Sequence, residues 1–191
     1  MAKCRAAGFS LIELVLALAV AIILIAIGLP IFLRAYRLYE LNNAARQVAD
    51  ILRLTRYEAI RLNTGVNCVI QATGSTPPTT TVWVDSNNSG TLDPTEKMVL
   101  LDSGGNLVAA PATVVPISGR IGTNSIVAPS PSSSSVAFDA RGAVNPPTTV
   151  TVFYLSSALE PEAGYRAVVL MPSGSIQIWM SDTSGNWQFQ Q

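Results

Sequence analysis

Glu13 is an ionisable residue at the start of a long apolar run, residues 14–33. A carboxylate in a hydrocarbon environment costs roughly 2.5–3.5 kcal/mol on insertion scales. The run that follows has no charged residue, and about 20 helical residues are enough to cross a bilayer core of about 30 Å. The sequence therefore predicts a membrane-spanning helix with a carboxylate near one end that needs a partner.

A second group of oxygen-bearing side chains lies in the stretch 85–96, DSNNSGTLDPTE. They occur at the spacing of a twelve-residue calcium loop, with Gly90 at the sixth position: Asp85, Asn87, Ser89, Thr91 (through its carbonyl), Asp93 and Glu96. The flanking residues are typical of strands and not of helices, and Asn, Asp, Gly and Ser are also common in tight hairpin turns. The pattern leaves two interpretations open, a Ca²⁺ site and a polar hairpin turn.

Composition argues against an enzyme. The chain has no histidine, its formal net charge is zero, and it has no G-x-S-x-G motif or phosphate loop. Several arginines lie between residues 37 and 61, but Glu40, Asp50 and Glu58 are interleaved with them. This alternation favours a solvated helix face over a nucleic-acid surface, and no cofactor is expected apart from the possible Ca²⁺.

The N-terminal segment has three interpretations. A secretory signal peptide has a shorter apolar core followed by a small-residue cleavage site, and neither feature is present. A simple membrane anchor leaves Glu13 unexplained. The third interpretation rests on Gly8-Phe9-Ser10-Leu11-Ile12-Glu13, preceded by a short basic leader. These residues resemble the G-F-[ST]-L-[IV]-E signature of type IV pilins and type II secretion pseudopilins.

The resemblance implies processing by a prepilin peptidase, which would cut between Gly8 and Phe9 and N-methylate Phe9. The leader would then be cytoplasmic and the C-terminal domain periplasmic, with the chain held in the inner membrane as a single-pass protein before it joins a filament. In a filament, Glu13 would pair with the Phe9 amine of a neighbouring subunit. The alternative is a glutamate at the headgroup boundary without a partner. Cleavage would also remove Cys4 and leave Cys68 as a buried thiol.

Apolar residues continue at spacings of three and four after the membrane segment, from Leu38 to Leu62, and predict an amphipathic continuation of the helix. Beyond Gly65 the pattern predicts short strands: 66–72, 81–85, 97–102, 113–118, 135–139, 148–155, 166–171 and 175–180. Residues 128–135 are expected to form a flexible loop. The fold class is α+β, a long helix packed on an antiparallel β-sheet. The expected segments are a leader (1–8), a transmembrane helix (9–33), its amphipathic continuation (34–63) and a periplasmic domain (64–191).

Downstream stretches are similar to the GspH/FimT family of minor pseudopilins. They are LRLTRYEAIRLN (52–63), VWVDSNNSGTLDPTEKMVL (82–100), FDARG (138–142) and VVLMPSGSIQIW (168–179). This resemblance implies a non-catalytic subunit of a type II secretion system, with other pilin or pseudopilin subunits as partners. The alternative is a minor type IV pilin for pilus biogenesis or DNA uptake. The scattered basic residues of the domain, among them Arg141 and Arg166, argue against nucleic acid.

Overall fold

The computed structural model describes residues 10–74, 78–111, 117, 121 and 125–190. Contacts between Cα atoms divide the chain into two units, Met1–Tyr36 and Arg37–Gln191. The helix α1 (Leu11–Leu62) contributes residues to both units. All described strands belong to the second unit, which is called the globular unit below.

Local hydrogen bonds define both ends of α1. The backbone amides of Glu13 and Leu14 both donate to the Ser10 carbonyl at 3.1 Å. At the other end Asn63 adopts a positive φ of 51°, and the Thr64 amide donates to the Ala59 carbonyl at 3.2 Å. A left-handed residue after the last helical turn is a common helix terminator, and asparagine tolerates it better than most residues. The predicted helix end is confirmed.

The strands form two sheets. Their bounds are β1 Val66–Thr73, β2 Thr79–Asp85, β3 Met98–Leu101, β4 Asn106–Val108, β5 Ser125–Val127, β6 Ser133–Phe138, β7 Val144–Asn145, β8 Thr149–Ser156, β9 Tyr165–Leu170, β10 Ile176–Ser181 and β11 Trp187–Gln190. The five-stranded sheet has the order β3-β2-β1-β6-β7, and the six-stranded sheet has the order β11-β10-β9-β8-β4 with β5 beside β8. A short 3₁₀ turn, Pro161–Ala163, precedes β9.

The α+β class is confirmed, with three differences in detail. The strands form two sheets and not one, and β5 pairs with β8 in parallel, whereas the other described pairs are antiparallel. The expected loop 128–135 is wrong at its end, because β6 already begins at Ser133, where the serines pair with β1. Most of the predicted strand 113–118 lies outside the described residues.

The core of the globular unit lies between α1 and both sheets. From α1 it takes Leu41, Ala45, Val48, Leu52 and Ala59, each 0% exposed, as the predicted apolar stripe required. The sheets contribute alternate residues of β1, β8 and β9 to the same cluster. The residues of β8 and β9 on the other face of the sheet form a second cluster with Ile117 and Trp187. The six-stranded sheet is therefore covered on both faces, which explains why every residue of β8 from Val150 to Leu155 is buried.

Candidate assembly interface

The first part of α1 exposes its apolar side chains. The large hydrophobic residues between Leu11 and Leu33 range from 80% exposed at Leu11 to 41% exposed at Leu33. This helix is long and apolar enough to cross a membrane, with a mean hydropathy of 3.1 over its most apolar window. Because burying apolar surface is the main driving force of association, such a surface needs lipid or other apolar helices around it.

Glu13 lies in the first turn of α1 and is exposed. A carboxylate is favourable at this position because the unpaired amides of a helix start carry partial positive charge. The first basic residue after Glu13 is Arg34, 21 positions further on (34 − 13), or roughly 30 Å along a helix. A cationic partner for Glu13 must therefore come from the amino end or from another molecule. Gly8 and Phe9 lie outside the described residues, so their processing and the pairing of Phe9 with Glu13 stay predictions.

Arg56 joins three stretches of the globular unit that are far apart in sequence. Its Nη1 donates to the Gly174 carbonyl at 3.0 Å. Gly174 has a φ of +78°, and a Cβ there would lie 2.1 Å from the Gly142 carbonyl oxygen. Gly142 has a φ of +77°, and a Cβ there would lie 2.9 Å from Arg56 Cγ. Only glycine fits at both positions, so the two turns close over the arginine side chain.

This junction was not predicted as a site. Its parts belong to three separate stretches, LRLTRYEAIRLN, FDARG and VVLMPSGSIQIW, each of which resembles the GspH/FimT family in sequence. A signal was present, since each of the two turn stretches contains a single glycine, which lies between Ser173 and Ser175 in one stretch and three residues after Asp139 in the other. The sequence pattern could not show that both glycines contact the same arginine.

Arg166 on β9 connects the sheet to α1 and is 4% exposed. Its Nε donates to Asn42 Oδ1 at 2.6 Å, and its Nη1 donates to the carbonyls of Ala163 and Tyr165. Burial lowers the pKa of the Arg166 guanidinium. A side chain so enclosed is unavailable to DNA phosphates, which removes one of the scattered basic residues from a nucleic-acid surface.

A family model described as type II transport protein GspH matches residues 44–174. The chain belongs to the GspH family. The matched region includes the buried part of α1 from Ala44 onwards and the junction of Arg56, Gly142 and Gly174. The family assignment supports a pseudopilin or pilin role, that of a structural filament subunit.

Among solved structures, this GspH-family chain is similar to the type IV minor pilin FimU of Pseudomonas aeruginosa strain PAO1. The identity is 16%, the alignment covers 80% of this chain and 94% of that chain, and the TM-score is 0.45. None of the curated proteins compared with the chain matches it.

The predicted calcium loop connects β2 to β3 in this GspH-family member. Asp85 is 1% exposed, and its two carboxylate oxygens accept the backbone amides of Ser89 and Gly90, both at 2.9 Å. Glu96 accepts the amide of Ser86 at 3.0 Å through one oxygen and that of Asp93 at 3.1 Å through the other. Both carboxylates therefore close the loop by hydrogen bonds to its own backbone.

The remaining predicted calcium ligands also have partners within the loop. Asn87 Nδ2 donates to Asp93 Oδ2 at 2.6 Å, and the Thr91 carbonyl accepts the Ser89 hydroxyl at 2.9 Å. In the described part of the chain, no group of three or more His, Cys, Asp or Glu side chains is arranged to hold a metal ion. Calcium binding by this loop stays a prediction.

Proposed function

We propose that this chain is a minor pseudopilin of a type II secretion system, a non-catalytic subunit that joins a periplasmic filament during protein secretion. The observation that carries the proposal is the exposed apolar part of α1 in a chain of the GspH family. A helix with this surface is suited to lipid before assembly and to a bundle of similar helices afterwards.

The proposal includes the processing implied by the N-terminal signature. The peptidase removes residues 1–8, Phe9 is N-methylated, and residues 9–33 remain as the inner-membrane anchor with the C-terminal domain in the periplasm. Residues 34–63 continue the helix, and residues 64–191 complete the periplasmic domain. Mass spectrometry of the protein isolated from its own bacterium is expected to find an N-methylated Phe9 at the amino end. Recovery of the chain with residues 1–8 attached would contradict this step.

Within the filament, Glu13 pairs with the Phe9 amine of a neighbouring subunit. The pair offsets the cost of placing each charge among apolar helices, because each group satisfies the other. The full-length Glu13→Ala variant is expected to reach the membrane at the wild-type level but to be lost from the filament fraction. Ser10→Ala is the matched control in the same turn and is expected to assemble normally. Normal assembly of Glu13→Ala would show that the carboxylate has no assembly role.

A gene deletion distinguishes a role in a type II secretion system from a role in a type IV pilus. Loss of this gene is expected to reduce protein secretion while surface pili and DNA uptake stay normal. The reverse result, with secretion intact and pili or DNA uptake lost, would assign the chain to a type IV pilus as a minor pilin. Complementation with the wild-type gene, but not with Glu13→Ala, connects either phenotype to assembly.

A further inference from the structure

A groove of 440 Å³ opens in the globular unit between α1 and one edge of the six-stranded sheet. We call it the β11 groove. Its helix wall is formed by Arg46, Asp50 and Arg53, its floor by Ile176 and Ile178 of β10, and its outer side includes Phe189 of β11. At this edge α1 covers the sheet incompletely, because both isoleucines are only half-buried.

The outer side of the groove is an edge strand. Among the described strands, β11 pairs with β10 alone and stands at the end of the sheet order. Natural edge strands are usually protected from further pairing by being very short, or by charged residues, proline or a bulge, and of these β11 has only its short length of four residues. The sequence of β11, Trp187-Gln-Phe-Gln190, contains no charge and no proline. One side of this strand therefore offers backbone donors and acceptors to an additional strand.

The helix wall contributes a positive charge. Arg53 Nη1 lies 2.7 Å from Asp50 Oδ1, so these two side chains form an ion pair. Arg46 is exposed and forms no ion pair or hydrogen bond with any residue that the structure describes. The groove wall thus has one surplus positive charge beside the apolar floor of Ile176 and Ile178. The Phe189 ring, 5.5 Å from that of Trp179, lies on the other face of the sheet. An occupant complementary to the groove has apolar side chains and a carboxylate.

We propose that β11 accepts an extended segment of a neighbouring pseudopilin subunit as an additional strand of the six-stranded sheet. Apolar side chains of that segment fill the groove over Ile176 and Ile178, and a carboxylate pairs with Arg46. Strand addition supplies affinity through the backbone, and the groove supplies specificity through alternate side chains. This inference rests on the proposed function, because neighbouring filament subunits are the source of the segment.

Photo-crosslinking in the native bacterium tests the proposal. In the full-length chain, Phe189→p-benzoylphenylalanine places the reactive group on β11, and Leu100→p-benzoylphenylalanine places it on β3, where Leu100 is 60% exposed. The expected result is a cross-link from position 189 to one other pseudopilin, identified by mass spectrometry, and no cross-link to that subunit from position 100. A cross-link from position 189 to a secreted protein, to lipid or to a second copy of this chain would overturn the proposal.

Charge reversal tests the role of Arg46. The variant Arg46→Glu is expected to lower the yield of the position-189 cross-link about tenfold, whereas Arg141→Glu, which also reverses an exposed arginine, leaves it unchanged. A carboxylate-to-lysine change in the cross-linked segment of the partner is expected to restore the yield with Arg46→Glu. An unchanged yield with Arg46→Glu would overturn the assignment of the carboxylate.

The two proposals fail in different ways. If wild-type chain enters the filament in a Glu13-dependent manner but position 189 gives no cross-link, the strand-addition proposal is wrong and the proposed function stands. If Glu13→Ala enters the filament normally, the assembly mechanism itself is wrong, whatever position 189 contacts.

Discussion

The two parts of α1 are equally helical but differ in where their apolar residues find partners. In the first part, the large apolar side chains from Leu11 to Leu33 are all exposed. In the second part, side chains such as Leu41 and Leu52 are 0% exposed and pack against the sheets. The second part is thus stabilised by its own chain, and the first part can be stabilised only by lipid or by other molecules.

The same contrast holds for charged groups. Arg166 and Asp85 are buried, and hydrogen bonds from their own chain satisfy them. Glu13 has no basic residue within reach further along its helix. A substitution among the internally satisfied residues should therefore lower the free energy of unfolding. A substitution in the first part of α1 should alter assembly and leave folding intact.

Leu52→Ala has the largest expected effect. Leu52 is fully buried among α1 and both sheets, so truncation removes apolar contacts and leaves a cavity. The free energy of unfolding of the globular unit is expected to fall by about 2–5 kcal/mol. Denaturant unfolding of the full chain in detergent, followed by tryptophan fluorescence, measures this change.

The matched control is Leu18→Ala, the same substitution at a residue that is 60% exposed. It is expected to leave that unfolding transition unchanged. If both substitutions destabilised the globular unit equally, the distinction between the two parts of α1 would be wrong.

Gly174→Ala has the next largest effect. It forces a Cβ onto the Gly142 carbonyl and requires a positive φ of an alanine. The positive φ alone costs roughly 1–2 kcal/mol, and the clash adds about 1–3 kcal/mol through backbone shifts. Gly90→Ala separates the two contributions, because Gly90 has a similar φ of +73° but no atom within 4 Å of the new Cβ. Equal losses of unfolding free energy for both variants would show that the junction with Arg56 is not tightly packed.

The sequence predicted those parts of the fold that depend on local pattern. The apolar stripe of α1, its end near Asn63 and most strands follow from the periods of 3.6 and 2. The short strands β4, β5, β7 and β11 were missed because two to four residues carry too little periodicity to be distinguished from a turn. β6 was predicted to begin at Ser135 because Ser133 and Ser134 look like loop residues, yet their pairing with β1 places them in the sheet.

The candidate sites also differ in whether the sequence alone reveals them. Glu13 stands out because a charged residue in an apolar run differs from its neighbours in the sequence. Such a difference can be recognised without a structure. The Arg56 junction and the β11 groove depend on residues such as Gly142 and Ile178 that are brought together only by the tertiary fold. The loop 85–96 was predicted as a group of oxygen atoms, but the sequence could not show which backbone amides those oxygens accept.

Cys68 gives a smaller effect that depends on pH. Burial raises the pKa of its thiol to about 12, from 9.0, although a hydrogen bond with Thr55 opposes the shift. Above pH 9 the unfolded chain loses this proton while the folded chain keeps it, so stability is complete below pH 9 and falls as the pH rises towards 12. Between pH 8 and pH 10 the loss is about 1.4 kcal/mol.

A Cys68→Ala variant isolates this contribution, because all other groups titrate alike in both proteins. Both chains carry Cys4→Ser so that Cys68 is the single thiol. Urea unfolding at the two pH values is expected to show that the chain with Cys68 loses about 1.4 kcal/mol more than Cys68→Ala does. Parallel losses in the two proteins would indicate that the thiol is accessible to solvent in the folded state.

The loop 85–96 has the smallest expected effect, and it tests whether an internally satisfied region also binds an ion. Because Asp85 and Glu96 already accept backbone amides, we expect the melting temperature of the full chain to be the same in EDTA and in millimolar Ca²⁺. A bound ion at about 100 times its dissociation constant would add about 2.7 kcal/mol and raise the melting temperature by several degrees. Such a rise, absent from Glu96→Gln and not reproduced by Mg²⁺, would establish the calcium site and place this loop with Glu13 among the groups that need an outside partner.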